Sequence, residues 1–232
     1  LDLAIDRPSI VATLYTPEEY SLSGWNFVTP TSLGYTDELI TQPFEPEKAR
    51  ELLAEAGYKV PGSSGGKDYG ELEIITWNPG DVPFIPDMAQ LVADNWREEL
   101  GLDVKVTVTD RTLLGQQRKS GELQDKARLF INEARWDGST ILHSTFNDPE
   151  NKNRQTEDPK LWKAIGEAFL ETDPDKRDAA MAKMYPVVQD EHLQLSMGYA
   201  NLPWGVSKRI KEWQPWSAAA FFNAHWTVEL VD

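Results

Sequence analysis

The chain has no cysteine in its 232 residues, so it holds neither a disulfide nor a thiolate zinc site. Basic residues are scarce: 23 Lys and Arg stand against 38 Asp and Glu, a formal net charge of −15. That balance argues against a nucleic-acid partner and against docking on anionic lipid, since both need a basic face. An acidic surface suits cationic solutes, and in blander terms it favours solubility. No apolar run approaches the roughly 18 residues that a membrane-spanning helix needs. Histidine is rare too. His143, His192 and His225 each lack a second ligand one helical turn away, so no local metal site is indicated and a structural role is the reading for all three. No cofactor is expected.

What is present begins with a β-α-β pattern between Glu45 and Asp110. Pro46 suits the first turn of a helix, where no N–H need be donated. Ala49, Leu52, Leu53 and Ala56 then recur at helical spacing, and Gly57 can close the helix in the left-handed conformation. Residues 61–70, Pro-Gly-Ser-Ser-Gly-Gly-Lys-Asp-Tyr-Gly, form a loop. Leu72, Ile74, Ile75 and Trp77 suit a buried strand. Pro86 and Asp87 open a second helix with Met88, Leu91, Val92, Trp96 and Leu100 on one face, and Gly101 stops it. Val104, Val106 and Val108 alternate with Lys105, Thr107 and Thr109, which predicts a strand with one wet face. The fold class is therefore α/β (α+β), a mixed sheet with flanking helices.

Elsewhere the sequence predicts a helix over 1–12, an irregular segment over 15–44, and a strand over 127–132. A polar loop follows over 145–158, then a helix from Pro159 and another capped by Asp173. Pro186 should end or kink that last helix. Residues 193–207 and 226–231 read as strands.

Two local patterns carry little chemistry. Pro61–Asp68 looks like a phosphate loop because of Gly66-Lys67, but Pro61 stands at the first glycine position and Asp68 where Ser or Thr should bind magnesium. Carboxylates are so numerous that a glycosidase-like pair would arise by chance, and a solvated acidic surface is the simpler reading.

The best candidate site is Arg135-Trp136-Asp137-Gly138-Ser139-Thr140, a loop after a predicted strand. Asp137 would satisfy an ammonium group by a charge-assisted hydrogen bond, and Trp136 would offer a flat apolar wall. The competing reading has Asp137 capping a turn and Trp136 in the core. Trp77 and Asn78 end a strand before the Pro79-Gly80 turn and could line the same cleft, with a core role the simpler reading for Trp77.

Leu3-Ala4-Ile5-Asp6-Arg7-Pro8-Ser9-Ile10-Val11, the Lys48-Ala49-Arg50-Glu51-Leu52-Leu53 helix and Gly101-Leu102-Asp103-Val104 resemble bacterial extracellular solute-binding protein family 5. Asp173-Pro174-Asp175-Lys176-Arg177 and Leu193-Gln194-Leu195-Ser196-Met197-Gly198-Tyr199 extend the resemblance downstream. These are the dipeptide-, oligopeptide- and nickel-binding components of ABC importers. The resemblance implies a portion of a longer protein: one lobe of a type II two-lobe clamp over residues 1–200, and a C-terminal return toward the other lobe over 201–232. It also implies a monomer, periplasmic or extracellular and membrane-tethered at full length, that captures a solute and passes it to ABC permease subunits. A peptide is the expected solute, with its amino terminus on Asp137; Glu45 and the polar 121–126 stretch depart from the family pattern. An oligosaccharide is the alternative within the family. A carboxylate-dependent hydrolase is the alternative of another class, against which the lack of a nucleophile elbow counts.

Scattered histidines and absent cysteines predict that stability is independent of metal. Unfolding followed by circular dichroism should give the same Tm before and after chelation; a sharp fall would show that a structural ion was missed.

Overall fold

The computed structural model describes the chain except residues 24–27, 31, 37–40, 81, 83, 133–134, 148–157, 191, 193, 202, 214–227 and 232. In chain order the elements are a 3-10 turn Asp2–Ala4, α1 Arg7–Leu14, β1 Tyr20–Ser21, α2 Pro46–Glu55, β2 Glu71–Trp77, α3 Ile85–Leu100 and β3 Asp103–Thr109. Next come α4 Arg111–Ser120, β4 Ala127–Arg128, α5 Ser139–Leu142 running into a π-helical turn His143–Asn147, α6 Pro159–Leu170 and α7 Pro174–Asp190. β5 Tyr199–Ala200, β6 Ile210–Glu212 and β7 Glu229–Leu230 complete the list. The chain divides into two compact units. The first holds Leu1–Pro17, Thr41–Ile131 and Pro149–Arg154; the second holds Glu18–Ile40, Asn132–Asp148 and Gln155–Asp232.

In the first unit, β2 lies between β3 and β4 in a parallel three-stranded sheet. A parallel partner needs a crossover, and α3 supplies it, packing on both β2 and β3. Its buried residues Met88, Ala89, Val92, Ala93, Trp96 and Leu100 include Met88, Val92, Trp96 and Leu100 from the predicted stripe, and Gly101 closes it at φ +67°. Both faces of β2 are covered, so Leu72, Ile74 and Thr76 are buried as well as Ile75 and Trp77. Ile75 and Trp77 pack with Leu114 of α4 and with Leu123.

Several boundaries differ from the sequence reading. The helix expected over 1–12 is broken: Asp6 accepts from the Ser9 amide at 3.1 Å and starts α1 afresh, with Pro8 in its first turn. The 111–120 helix was not anticipated, because its polar sequence shows little periodicity, although Asp110 caps it by accepting from the Thr112 and Leu113 amides. The 127–132 strand shrinks to Ala127–Arg128, and the 193–207 strand to Tyr199–Ala200. The loop expected over 145–158 and the start of the 226–231 strand lie largely outside the described residues, as does His225.

The second unit is built on α6 and α7, which pack together and bury Leu161, Ile165, Ala168, Met181, Met184, Tyr185 and Val188. Pro186 does not end α7. An interior proline costs about 3 kcal/mol, whereas each fully buried large side chain contributes about 1.5–3 kcal/mol, so the four on this helix outweigh it. Antiparallel pairs β1–β5 and β6–β7 also belong to this unit.

Gly34 marks a close approach. Its φ is +72°, and a Cβ there would lie 2.5 Å from the Met181 Cβ and 2.6 Å from the Ala182 nitrogen of α7. Gly34→Ala is therefore predicted to destabilise the second unit by at least roughly 1–3 kcal/mol, the cost of the backbone strain, to which the clash with α7 adds. Chemical denaturation measures it; an unchanged midpoint would contradict the packing described.

Candidate functional site

The loop before α5 is fixed by its backbone, which leaves the Trp136 side chain exposed. Ser32 Oγ donates to the Arg135 carbonyl at 2.7 Å, and the Leu33 amide donates to the Trp136 carbonyl at 2.7 Å. The segment carrying Ser32 and Leu33 is in turn held by α7, where Asp178 Oδ1 accepts from the Gly34 amide at 2.8 Å. Between these anchors the Trp136 ring stands out, 52% exposed.

Asp137 is not the open carboxylate that the sequence suggested. Its side chain is only partly exposed, and both its oxygens are engaged within the unit. Oδ1 accepts from the Ser139 amide at 2.9 Å, and Oδ2 accepts from Arg177 Nε at 2.7 Å. Arg177 also donates through Nη2 to Ser139 Oγ at 2.6 Å, and through Nη1 to the carbonyls of Phe169 at 3.0 Å and Glu171 at 2.6 Å. One guanidinium therefore caps the C-terminal end of α6 and ties the 137–139 loop to α7. The planar fork of arginine suits this task, and lysine's point charge would not span the four acceptors. Burial opposes the charged form of Asp137. Hydrogen bonds from Ser139, and then the bond and charge of Arg177, outweigh it and hold the carboxyl below its ordinary pKa. Tyr185 is pushed up, first by burial and then by the nearby Asp137 carboxylate.

Gly138 and Ser139 are buried, with Ser139 fully enclosed. Trp77 and Asn78 belong to the first unit: Trp77 sits in the Ile75–Leu114–Leu123 cluster, and Asn78 is exposed just past β2. His143 stacks on Phe169, with ring centroids 4.3 Å apart. Among the described residues no group of three His, Cys, Asp or Glu gathers in a way that would hold a metal, and no helix is long and apolar enough to cross a membrane. Arg177 is the residue the sequence reading missed. The signal was there: a cation in the first turn of a helix opposes the helix dipole, so it calls for a local anion.

The architecture is that of type II periplasmic binding proteins. HbpA2 from Haemophilus parasuis superposes with a TM-score of 0.70 over 99% of this chain and 44% of that one, at 21% identity. Residues 1–157 match the bacterial extracellular solute-binding proteins, family 5 Middle, and the chain belongs to that family. Heme-binding protein A of Haemophilus influenzae is 30% identical over 53% of the chain and 21% of its own length. The oligopeptide-binding protein OppA of Bacillus subtilis is 27% identical over 82% of the chain and 34% of its own length. The chain thus spans about a third or less of these two relatives.

Removing Arg177 would leave a partly buried carboxylate without its counter-charge and take a donor from two carbonyls. Arg177→Ala is predicted to destabilise the second unit by on the order of 3 kcal/mol, and Arg177→Lys to recover only part of that. Because the Asp137 pKa is depressed on folding, its contribution is fully present above the unfolded carboxyl value of about 3.9 and is lost as pH falls through the lower folded value. Denaturation midpoints from neutral to acidic pH would show the gap between wild type and Arg177→Ala narrowing at the acidic end, without closing, because the bonds to Ser139, Phe169 and Glu171 do not titrate. A constant difference would contradict the ion pair.

Proposed function

We propose that this chain is part of an ABC-importer substrate-binding protein that captures a solute, a peptide in the first instance, and delivers it to the permease without chemical turnover. The observation that carries the reading is Trp136, an exposed ring on a loop locked at both carbonyls and by Arg177. A preorganised aromatic surface contributes contact area at little entropic cost. Membership of family 5 supports capture, and the OppA match over 82% of the chain, against 53% for the heme-binding relative, favours a peptide. In this reading Trp136 touches the solute, and Asp137, Gly138 and Ser139 hold it in place. Asn78 and Trp77 are proposed as solute contacts of the first unit, taken by itself. The full-length protein would be a periplasmic or extracellular monomer, tethered to the membrane.

A clamp gains affinity by burying most of its ligand, which a partial protein cannot do. Calorimetry with a mixed tri- to pentapeptide library should show weak binding to this chain and saturable, turnover-free binding to a longer protein that contains it. Trp136→Ala should weaken the latter by about 2 kcal/mol, the scale of an interface hot spot, and shift stability by no more than about 0.5 kcal/mol. Micromolar binding by this chain alone would overturn its status as part of a clamp. Hemin uptake with a Soret band and no peptide retention would overturn the peptide.

A further inference from the structure

The first unit carries a cation that the site above does not use. Arg128 of β4 pairs in register with Ile75 of β2, so its side chain leaves the sheet on the face that carries Ile75 and Trp77. This is the face covered by α4 through Leu114, and Gln117 and Arg118 lie one turn along from Leu114 on the same side of that helix. Two buried donors there, Trp77 Nε1 and Arg128 Nε, have no hydrogen-bond partner, and neither does the Gln117 Oε1 acceptor. The Arg128 guanidinium rests on the Phe130 ring, 4.2 Å from its centroid, and has no carboxylate partner among the described residues. Of the two carboxylates on this face of β2, Glu71 is exposed at the far end of the strand, and Glu73 is already committed to Lys126 and to Thr107 Oγ1. Burial, and then the charge of Arg118, bring the Arg128 pKa down to about 10.

A half-buried cation beside another cation, with no counter-charge, is unfavourable unless an anion completes it. Its place agrees with this: β2 ends at Trp77 and β4 at Arg128, and open parallel sheets bind ligands outside the carboxyl ends of their strands. We propose that the carboxyl ends of β2 and β4, beside α4, form an oxyanion subsite in which Arg128 receives a carboxylate or phosphate group of the captured solute. Arg118 adds positive charge and Trp77 Nε1 a further donor. That the anion belongs to a solute rests on the capture reading; that the subsite binds an oxyanion does not.

The test is a nuclear magnetic resonance titration of this chain, following the Arg128 Nε–H and Trp77 Nε1–H signals. Sodium acetate, inorganic phosphate and sodium chloride are added at matched ionic strength. Both signals should move saturably with acetate or phosphate and stay still with chloride. A response to acetate alone assigns a carboxylate, and a response to phosphate alone a phosphate. Arg128→Met, which keeps an apolar stem over Phe130, should weaken the Trp77 response about tenfold or more, the factor expected for one charge-assisted hydrogen bond. Arg128→Lys should keep a weaker response and guards against a folding defect in the methionine variant. No saturable shift, an equal shift with chloride, or an unchanged Trp77 response in Arg128→Met would overturn the subsite. None of these arms uses a peptide, so failure of the peptide reading leaves the result standing.

Discussion

The Arg177 guanidinium donates to Asp137, Ser139, Phe169 and Glu171, and the second unit's loop depends on those bonds. The α6–α7 connection is only three residues long, 171–173, and the last carbonyls of α6 need donors that the helix itself cannot give. Arg177 supplies them from the first turn of α7. Its remaining nitrogens reach the 137–139 loop, so closing a helix end and shaping a surface loop become one event. The unfavourable place of a cation at a helix start is offset by the Asp137 carboxylate.

Consequences spread from that point. Asp178, next in sequence, holds the Gly34 amide, and the segment around Gly34 holds the carbonyls of Arg135 and Trp136. Ordering such a loop costs about 1–2 kcal/mol per residue in backbone entropy, more than any one of these bonds returns. Together, and with partly buried charges among them, they suffice. The result is a loop whose Asp137 and Ser139 are tied inward and whose tryptophan faces out. Arg128 in the first unit is the opposite case: a half-buried guanidinium with an aromatic support and no carboxylate partner among the described residues.

Much of the first unit was legible in the sequence. Pro46, Pro86, Gly57 and Gly101 punctuate it, and the apolar periods of α3 and β3 are strong. The polar helix Arg111–Ser120 escaped because its buried contact is a single leucine, Leu114, and its start depends on the Asp110 cap. Pro186 misled because local propensity was weighed without the burial of Met181, Met184, Tyr185 and Val188. For the candidate site, the sequence found the loop and its exposed tryptophan. It took Asp137 for an available carboxylate because its partner, Arg177, lies 40 residues away: a cation at a helix start says that an anion is needed, not which one.

The central claim is that the Trp136 loop is as rigid as the helices that hold it. Native-state hydrogen exchange measures this directly at the Leu33 and Ser139 amides, which donate to the Trp136 carbonyl and to Asp137. The account predicts that both exchange in the slow class of the buried turns of α7, opening only when the unit opens. Exchange at the rate of an unstructured peptide, with α7 still protected, would contradict it.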